Sequence, residues 1–459
     1  MSVPAPAGVL ANTTLRNQSG AEGAFRGAKT QLFGAIGSVS PYGLLTPTGW
    51  LTDEFTIEFS NGATGAKIDA RITSGGRVFL EDGHYAWSGL LQARAALLGS
   101  IAGLAAYEPA GSRSSVGEAY ALAGYAELLL AESFCAGTPL DGVHADGTIE
   151  YGMPLTADSL VGVAEAHFDS ALAGANGDAT VAALASVGLG RALVDRGQYA
   201  AAATAVATVP ASFDYNGELS PNNSTGAAQR PNLYAYGVER SFARVFNVAD
   251  REGGNGLNFV SAHDARLVLD TSLTAADGGP WYLPVKFETN LSLIPLATGL
   301  EAQLIAAEAA LNASQASVWL ADLNALRNSG CTVNGVDTTC ALGTGQVAGQ
   351  TAGLPSLSDP GTDSGRVSLM FRERAFWLFG TGTRLGDLRR LIRQYGRDQS
   401  TVFPTGPYAN GQNPNLPAPI PTYGTDVTLT LPTTAALTLY GGNITNPNYK
   451  GCIASTKTA

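Results

Sequence analysis

The chain has 459 residues, of which 45% are hydrophobic, enough apolar material for a large buried core. It carries 27 Lys and Arg against 38 Asp and Glu, a net charge of −11, and no basic stripe, which argues against a nucleic-acid-binding protein. Only 14% of residues are charged, which suits an extracellular protein that handles a neutral ligand, and no apolar run approaches the ~18 residues of a membrane helix.

Helical patterns dominate the N-terminal part of the chain. Apolar residues recur at helical spacing over residues 24–36, 87–107, 116–134 and 158–173. In the third of these segments, Ala119, Ala123 and Ala126 fall on one stripe, where small side chains permit close packing of helices. The Gly-Thr-Pro sequence at 137–139 stops that helix.

Residues 179–210 resemble a tetratricopeptide repeat, a pair of helices joined by a tight turn. Gly190 and Ala202 let the two helices touch, and Tyr199 fills the gap at the corner. Since one such pair cannot bury its own apolar face, it needs partner pairs. The sequence offers them at 116–134 with 158–173 and at 299–312 with 315–328. We therefore expect a mainly α fold built on tetratricopeptide-like helix pairs.

Loop-rich segments interrupt this scaffold. Residues 211–295 are rich in aromatics, Gly and Asn and contain short β-like runs, which predicts an insertion of loops and short strands. Helices return over 296–395, with a second loop block inside that span, and residues 400–459 form an irregular tail rich in Pro, Gly and Asn. We expect one domain over residues 1–459, with its helical scaffold in 20–210 and 296–395.

The four cysteines favour disulfide bonds. Cys331 and Cys340 bracket the turn-rich segment CTVNGVDTTC, a hairpin-like loop that a disulfide can close. Cys135 and Cys452 remain as a second pair, which would tie the C-terminal tail to the first helical region. Free thiols and a zinc site are the alternatives, although the chain has no CxxC motif and its four histidines are scattered. Disulfides would place the protein outside the cytoplasm.

The segment ERAFWLFGTGTRLGDLRR resembles the C-terminal signature of the SusD/RagB family of surface glycan-binding lipoproteins. The matching residues are Glu373, Arg374, Gly382, Arg384, Asp387, Leu388 and Arg390. The chain departs from this signature at 381–384, where it has Thr-Gly-Thr-Arg in place of Glu-Gly-His-Arg. Three further segments resemble family motifs in the same order, namely LTDEF at 51–55, a long helix at 119–140 and an Ala-Glu-Ala helix at 296–312.

The resemblance implies a helical fold with a loop-rich ligand face, and capture of an oligosaccharide or a peptide rather than catalysis. It also implies a SusC-like TonB-dependent outer-membrane transporter as partner, and a location on the bacterial outer-membrane surface. Family members are anchored through a lipidated N-terminal cysteine, and because the first cysteine here is Cys135, the sequence leaves the anchor open. We expect no cofactor, metal or catalytic residue. The alternative function is a self-assembling extracellular filament or lattice subunit built on the same fold.

The signature residues themselves predict a structural role. Arg384 and Asp387 are three residues apart, so we expect them to pair at the start of a helix, where the helix dipole favours an anion. Arg389, Arg390 and Arg393 lie further along that helix and are expected to donate to loop carbonyls.

No catalytic motif accompanies this scaffold, since the sequence contains no nucleophile elbow, HExxH or phosphate-binding loop. DREGGNG, residues 250–256, has acidic and amide residues spaced as in a cation-binding loop, but the full calcium pattern fails and a plain turn is favoured. A glycosidase would need two carboxylates that converge across a cleft, and the sequence alone does not identify such a pair.

A sugar site needs exposed aromatic planes edged by polar groups, because sugars present apolar C–H faces bordered by hydroxyls. The loops supply candidate planes at Tyr42, Trp50, Phe79, Tyr85, Trp281 and Tyr282. The last two follow a Gly-Gly-Pro sequence, which predicts an exposed turn, and they are the favoured pair. Three other tryptophans lie in helical patterns and are expected in the core, namely Trp87, Trp319 and Trp377.

Overall fold

The computed structural model describes residues 16–37, 43–57, 63–73, 83–109, 114–143, 148–217, 246–272, 274, 279–287, 293–328, 354–410, 419–432 and 446–459. The fold is mainly helical, as expected. In chain order the helices are α1 (Gln18–Gly37), α2 (Leu45–Leu51), α3 (Ala63–Asp69), α4 (Gly83–Tyr107), α5 (Ser114–Ser133), α6 (Ala157–Ala173), α7 (Ala179–Asp195), α8 (Tyr199–Val206), α9 (Gly299–Asn312), α10 (Ala316–Asn328), α11 (Asp363–Trp377), α12 (Arg384–Arg393) and α13 (Gln399–Val402).

Successive helices pack on one another through the centre of the molecule. Helix α4 packs on α1 and α5, and contacts then run in order through α6, α7 and α8 to α9 and α10. This order is typical of helical repeats, in which each pair buries the apolar face of its neighbour. The helix pairs that the sequence predicts are present: α5 with α6, α7 with α8, and α9 with α10.

The α7–α8 pair shows why this segment folds as two helices. The Asp178 carboxylate caps α7, because it accepts hydrogen bonds from two backbone amides of the first turn at 2.9 and 3.2 Å. The chain turns after α7 at Gly197, whose φ of 69° is a conformation that glycine adopts without strain. A Cβ on Gly190 would lie 2.5 Å from Cγ1 of Val206 and 3.6 Å from the carbonyl oxygen of Ala202. The predicted contact between the two helices is therefore confirmed.

Short strands lie mainly in the loop-rich part of the chain. Among the described residues they form two-stranded antiparallel pairs: β1 (Phe55–Ile57) with β5 (Phe246–Val248), β2 (Gly142–Val143) with β3 (Ile149–Glu150), β4 (Asp214–Gly217) with β8 (Ile294–Thr298), and β6 (Leu269–Asp270) with β7 (Leu283–Pro284). All but the β2–β3 pair include a strand from residues 211–295, which confirms the prediction of short strands in that segment.

Two main hydrophobic clusters form the core. The larger one joins α1, α4, α5, α6 and α7 with several strands, and the smaller one joins α9, α10 and α11. Trp87 lies in the larger cluster, while Trp319 and Trp377 lie in the smaller one. All three rings are buried, which confirms their predicted core positions.

A disulfide joins Cys135, just after α5, to Cys452 in the C-terminal tail. It confirms one of the two predicted bridges and ties the tail to the helical scaffold across a sequence separation of 317 residues. In the chain-entropy model, closing so long a loop stabilises the fold by about 6 kcal/mol. The other predicted bridge, between Cys331 and Cys340, lies outside the described residues and stays a prediction.

Helix α4 corrects one expectation from the composition. Its segment Tyr85–Tyr107 is long and apolar enough to cross a membrane by length and composition, because a single Arg94 interrupts the run without lowering the mean hydropathy much. Along one side of this helix, Leu90, Ala93 and Leu97 are buried, and the helix packs against α1 and α5. Arg94 Nε donates to Glu127 Oε1 of α5 at 2.5 Å. In this fold α4 is a packed part of the scaffold.

We predict that Gly190→Leu lowers the free energy of unfolding by about 1–3 kcal/mol, because the added side chain overlaps Val206 of α8. Gly99→Leu is the matched control, since Gly99 also lies within a helix but has no atom within 4 Å of the position of a Cβ. Leucine favours the helix there, so this variant should lose no stability. Denaturant unfolding measures both variants, and equal midpoints would contradict the contact between α7 and α8.

Candidate functional site

Asp53 and Arg384 form a buried ion pair between distant parts of the chain. The Arg384 guanidinium donates from Nε and Nη2 to Asp53 Oδ1 and Oδ2 at 2.7 and 2.8 Å. Asp53 belongs to the LTDEF motif and Arg384 to the C-terminal signature, so two segments that resemble family motifs bind each other directly. The expected pairing of Arg384 with Asp387 is wrong, because Arg384, at the start of α12, points back to the segment after α2.

Asp387 is instead the centre of a second group of ion pairs. It accepts hydrogen bonds from Arg374 Nε and Arg390 Nη2, both at 2.8 Å. Burial raises the pKa of Asp387, but the two guanidiniums outweigh burial and hold this pKa at about 2. Arg390 Nη2 also donates to Glu308 Oε2 of α9 at 3.0 Å. The expectation that Arg390 donates to loop carbonyls is therefore wrong, because carboxylates occupy its guanidinium.

Glu373 and Arg389 link the signature to further helices. Glu373 accepts from Arg266 Nη1 at 2.7 Å and from Arg327 Nη1 at 2.9 Å. Arg389 Nη1 donates to two carbonyl oxygens at 2.8 and 2.6 Å, and these belong to the last turn of α5 rather than to a loop as expected. The charged signature residues are all buried, so their side chains hold the scaffold together rather than face a ligand, namely Glu373, Arg374, Arg384, Asp387 and Arg390.

The acidic loop at residues 250–256 turns its polar groups toward the protein. Asp250 Oδ1 accepts hydrogen bonds from two backbone amides at 3.0 and 2.9 Å. Asn255 Nδ2 donates to two carbonyl oxygens near α13 at 2.9 and 2.8 Å. The bonds to Asp250 occupy a carboxylate oxygen that a cation would need. Among the described residues, no group of three or more His, Cys, Asp or Glu side chains is placed to hold a metal ion.

Glu252 of the same loop forms a buried acid pair with Asp69 at the end of α3. The two carboxyl groups interact electrostatically. Tyr423 Oη donates to Glu252 at 2.8 Å, and Tyr408 Oη donates to Asp69 at 2.7 Å. Burial and then the Asp69 charge raise the pKa of Glu252 well above its usual value. Burial also raises the pKa of Asp69 to about 6. Both shifts favour a proton that the pair shares in the folded protein.

The aromatic side chains that are exposed in the structure differ from those that the sequence predicts. Trp281, in the favoured pair, is 0% exposed, so the expectation that it presents an open face at a turn is wrong. Asn247 accounts for this burial, because its side chain donates to Pro280 O at 3.1 Å and accepts from Tyr282 N at 2.8 Å. These bonds pin the segment against β5 and leave Tyr282 half-buried.

The other aromatic residues predicted for the site also include both buried and exposed side chains. Trp50 is buried in α2 and lies against Gly65 of α3, so it too presents no open face. Tyr85, near the start of α4, is 38% exposed and keeps the exposure that a sugar site requires. Tyr42 and Phe79 lie outside the described residues.

A second set of loops presents exposed apolar side chains that the sequence analysis missed. These disulfide-anchored loops comprise residues 135–143, 148–156 and 446–453. The Cys135–Cys452 bridge joins the first to the third. Backbone hydrogen bonds from Gly137 N to Leu155 O at 2.8 Å and from Ile453 N to Ala136 O at 2.8 Å connect all three. Their relative positions are therefore fixed by covalent and main-chain contacts.

Polar side chains reinforce the same loops. Asp141 Oδ1 accepts from Gly152 N at 3.0 Å and from Asn446 Nδ2 at 2.6 Å. Asn448 Nδ2 donates to the carbonyl oxygens of Tyr151 and Gly152, both at 3.4 Å. No described residue donates to Asp141 Oδ2 or to Asn448 Oδ1. Two hydrogen-bond acceptors therefore remain open beside the backbone of Tyr151.

The surface of these loops is apolar as well as polar. Tyr151 is 38% exposed, and three aliphatic side chains on the loops are more exposed, namely Ile149 at 50%, Met153 at 65% and Ile453 at 47%. An aromatic ring with open acceptors nearby matches the requirements of a sugar site. The sequence signal for it is the apolar alternation in Ile-Glu-Tyr-Gly-Met at 149–153, next to a cysteine-tethered loop.

We predict that Asp53→Asn lowers the free energy of unfolding by about 3–5 kcal/mol, because it leaves Arg384 buried without its counter-charge. The matched control is Asp363→Asn, which removes a carboxylate that is 98% exposed from its pair with Arg366. That change should leave stability nearly unchanged, since water screens the pair. Urea titration at neutral pH compares them, and equal losses would contradict a special role for the buried pair.

We predict that Glu252→Gln flattens the pH dependence of stability. The raised pKa of Glu252 means that the folded protein keeps a proton that the unfolded chain releases above about pH 4.5. The stability from this proton is full below that pH and is lost as pH rises through the folded-state pKa. A glutamine amide offers Asp69 a hydrogen-bond donor at any pH and does not titrate, so the slope for this variant should be smaller by up to about 1.4 kcal/mol per pH unit. Unfolding curves between about pH 5 and 9 measure both slopes, and identical slopes would rule out the shared proton.

Known proteins resemble this chain in three-dimensional structure, whereas the sequence comparisons find no match. No family model matches the chain, and no curated protein matches it. A SusD superfamily protein from Bacteroides vulgatus superposes with a TM-score of 0.57 at 15% identity, over 82% of this chain and 88% of that one. A SusD-like carbohydrate-binding protein from the same species gives a TM-score of 0.56 at 16% identity, over 81% and 83%.

A third solved structure, B. fragilis NanU, matches nearly the full length of both chains. It superposes with a TM-score of 0.58 at 13% identity, over 98% of this chain and 99% of that one. At such low identity the likeness concerns the fold. The helical repeat order, the short strands and these superpositions agree, and the chain has the fold of the SusD superfamily.

Proposed function

We propose that the protein captures an oligosaccharide outside the cell and does not transform it chemically. The observation that carries this proposal is Tyr151, an exposed ring on the disulfide-anchored loops with open acceptors on Asp141 and Asn448. The fold supports it, because one of the structures that superposes on this chain is described as a SusD-like carbohydrate-binding protein. A peptide is the second ligand class that the family resemblance allows.

The chemistry of a sugar fits this surface. The apolar C–H face of a pyranose packs on an aromatic ring, while its hydroxyls donate to carboxylate and amide oxygens. Asp141 is exposed and Asn448 is half-buried, so both acceptors are reachable from solvent. Because the disulfide and the backbone bonds hold the loops in place, binding orders few groups and loses little entropy.

Two of the aromatic residues predicted from the sequence remain part of the proposal. Tyr85 is exposed near the start of α4, and Tyr282 is half-buried beside the fully buried Trp281. We assign Tyr85 and Tyr282 to secondary contacts with a longer glycan. Trp281 supports Tyr282 from the core and does not touch the ligand.

The buried acid pair does not have the geometry of a glycosidase site. Glycosidases place two carboxyl groups on either side of the scissile bond, separated by about 5–9.5 Å so that the sugar and a water molecule fit between them. Asp69 and Glu252 instead interact with each other in the interior, where Tyr408 and Tyr423 donate hydrogen bonds to them. A sugar cannot enter between them, so this pair serves the fold.

The resemblance extends the proposal to a location and a partner. We place the protein on the bacterial outer-membrane surface, where it would pass its ligand to a SusC-like TonB-dependent transporter. The support for this step is the sequence resemblance in the C-terminal signature and the shared fold. Co-purification of the transporter with the tagged protein from membranes would be expected.

We predict that Tyr151→Ala weakens binding of the best glycan from an array by roughly fivefold, the loss of about 1 kcal/mol of stacking. Tyr85→Ala should give a smaller loss of affinity. Tyr107→Ala is the matched control, because Tyr107 is as exposed as Tyr85 but lies at the other end of α4. Calorimetry on the three variants measures the affinities.

The array also separates the proposal from its alternative. If the wild-type protein binds no glycan and no peptide but forms large oligomers by light scattering, the self-assembling subunit is favoured. If it binds a glycan equally well with and without Tyr151, the capture function stands and the site is elsewhere. Hydrolysis of the bound glycan, seen as new reducing ends, would contradict capture without turnover.

A further inference from the structure

A small cavity lies where four helices meet, and none of its lining residues belongs to the disulfide-anchored loops. It has a volume of about 250 Å³ and is formed by the end of α5, the start of α6, the end of α7 and one side of α12. Its charged lining residues are Glu132, Asp158, Asp195, Arg196, Arg389 and Arg393. Three acidic and three basic residues line it, and not every basic residue has an acidic partner.

Each acid that lines the cavity already has an arginine partner. Glu132 Oε1 accepts from Arg191 Nε at 2.7 Å, and Asp158 Oδ1 accepts from Arg196 Nε at 3.0 Å. Asp195 Oδ1 lies 3.5 Å from Arg390 Nε. Two of these partners, Arg191 and Arg390, lie outside the lining of the cavity. The negative charges of the lining are therefore neutralised by guanidiniums, some of them behind the wall.

Arg389 and Arg393 are left without a carboxylate. Among the described residues, neither has a carboxylate oxygen within 4 Å, whereas every lining acid has such a partner. Arg389 is only 3% exposed, and its buried Nε has no hydrogen-bond acceptor in the part of the chain that the structure describes. Its Nη1 donates to the carbonyls at the end of α5, which are neutral groups. A buried guanidinium without a counter-ion is costly, so this site favours an anion.

The electrostatics agree with this geometry. Burial and then the positive charge of Arg393 lower the pKa of Arg389 to about 9, and the nearby acids compensate only in part. Helix α6 also begins at the cavity wall, with Ala157 in the lining, and the N-terminal end of a helix favours negative charge.

We infer that this cavity binds a small oxyanion, a carboxylate or a phosphate. Guanidinium groups bind carboxylates and phosphates through paired N–H donors, and Arg389 and Arg393 offer such donors on the same helix, α12. The volume is below the ~300–1,000 Å³ of sites for drug-sized ligands, so the ligand is a single small unit. This site is separate from Tyr151 and does not rest on the proposed capture of a neutral glycan.

The test uses the purified full chain and four anions at constant ionic strength. Calorimetry with glucuronate, acetate, inorganic phosphate and sulfate, each up to about 10 mM, detects a site with a Kd near 1 mM. Glucose is the neutral control. We expect at least one anion to bind and glucose not to bind in this cavity. Binding of glucuronate and acetate alone would assign a carboxylate, while equal binding of all four would assign any oxyanion.

Variants locate the binding. Arg393→Gln removes one exposed guanidinium of the cavity and should weaken anion binding by about tenfold, the contribution of one charge-assisted hydrogen bond. Arg397→Gln is the matched control, because Arg397 is close in sequence but donates to Ser364 and Ser368 and does not line the cavity. It should change the affinity less than twofold. Arg389→Lys keeps the charge but loses the planar donors, and it should also weaken binding.

Three results would overturn the inference. Wild-type protein that binds none of the four anions has no such site. Equal weakening by Arg393→Gln and Arg397→Gln would show a general effect of surface charge. Anion binding lost in Tyr151→Ala but kept in Arg393→Gln would place the anion on the disulfide-anchored loops. Failure of glycan capture alone would leave this cavity unaffected, so the two proposals fail separately.

Discussion

The buried pair between Asp53 and Arg384 is the constraint on which the rest of the structure depends. The two residues are 331 positions apart in the sequence, and the same Asp53 carboxylate accepts from Leu257 N at 2.8 Å. One carboxylate therefore fixes three distant segments, two of them motifs that resemble the SusD/RagB family. Removing both charges from water costs several kcal/mol per ion, so only a complete set of hydrogen bonds makes the arrangement stable.

Further charges repeat this arrangement across the scaffold. Asp387 and Glu373 each bind two guanidiniums, and together they connect α10, α11, α12 and the loop-rich segment. The Cys135–Cys452 bridge extends the same rigidity to the C-terminal tail. A loop face held in this way meets its ligand in one conformation, which is what an efficient capture protein needs. Arg389 of α12 differs from this network, because no carboxylate oxygen of a described residue lies within 4 Å of its buried guanidinium.

Local sequence signals predicted the helices and the close α7–α8 contact, because helical periodicity and glycine spacing depend on neighbouring residues. They did not predict the ion pairs. Arg384 has Asp387 three residues away, and only the folded chain brings Asp53 closer. The prediction that Trp281 is exposed was wrong for the same reason, since the side chain that holds its segment in place, Asn247, lies about 35 residues away in the sequence. The sequence did not predict Tyr151 as a site residue, because its exposure depends on loops that are joined by a disulfide between residues far apart in the sequence.

The most direct test of the account is a crystal structure of the protein with the tightest-binding glycan from the array, compared with the free protein. We predict that a sugar ring packs on the face of Tyr151 and that its hydroxyls donate to the side-chain oxygens of Asp141 and Asn448. We also predict that the disulfide-anchored loops keep their positions within about 1 Å, as in preformed sites. A glycan bound elsewhere, or loops that rearrange to bind it, would contradict a preformed site at Tyr151.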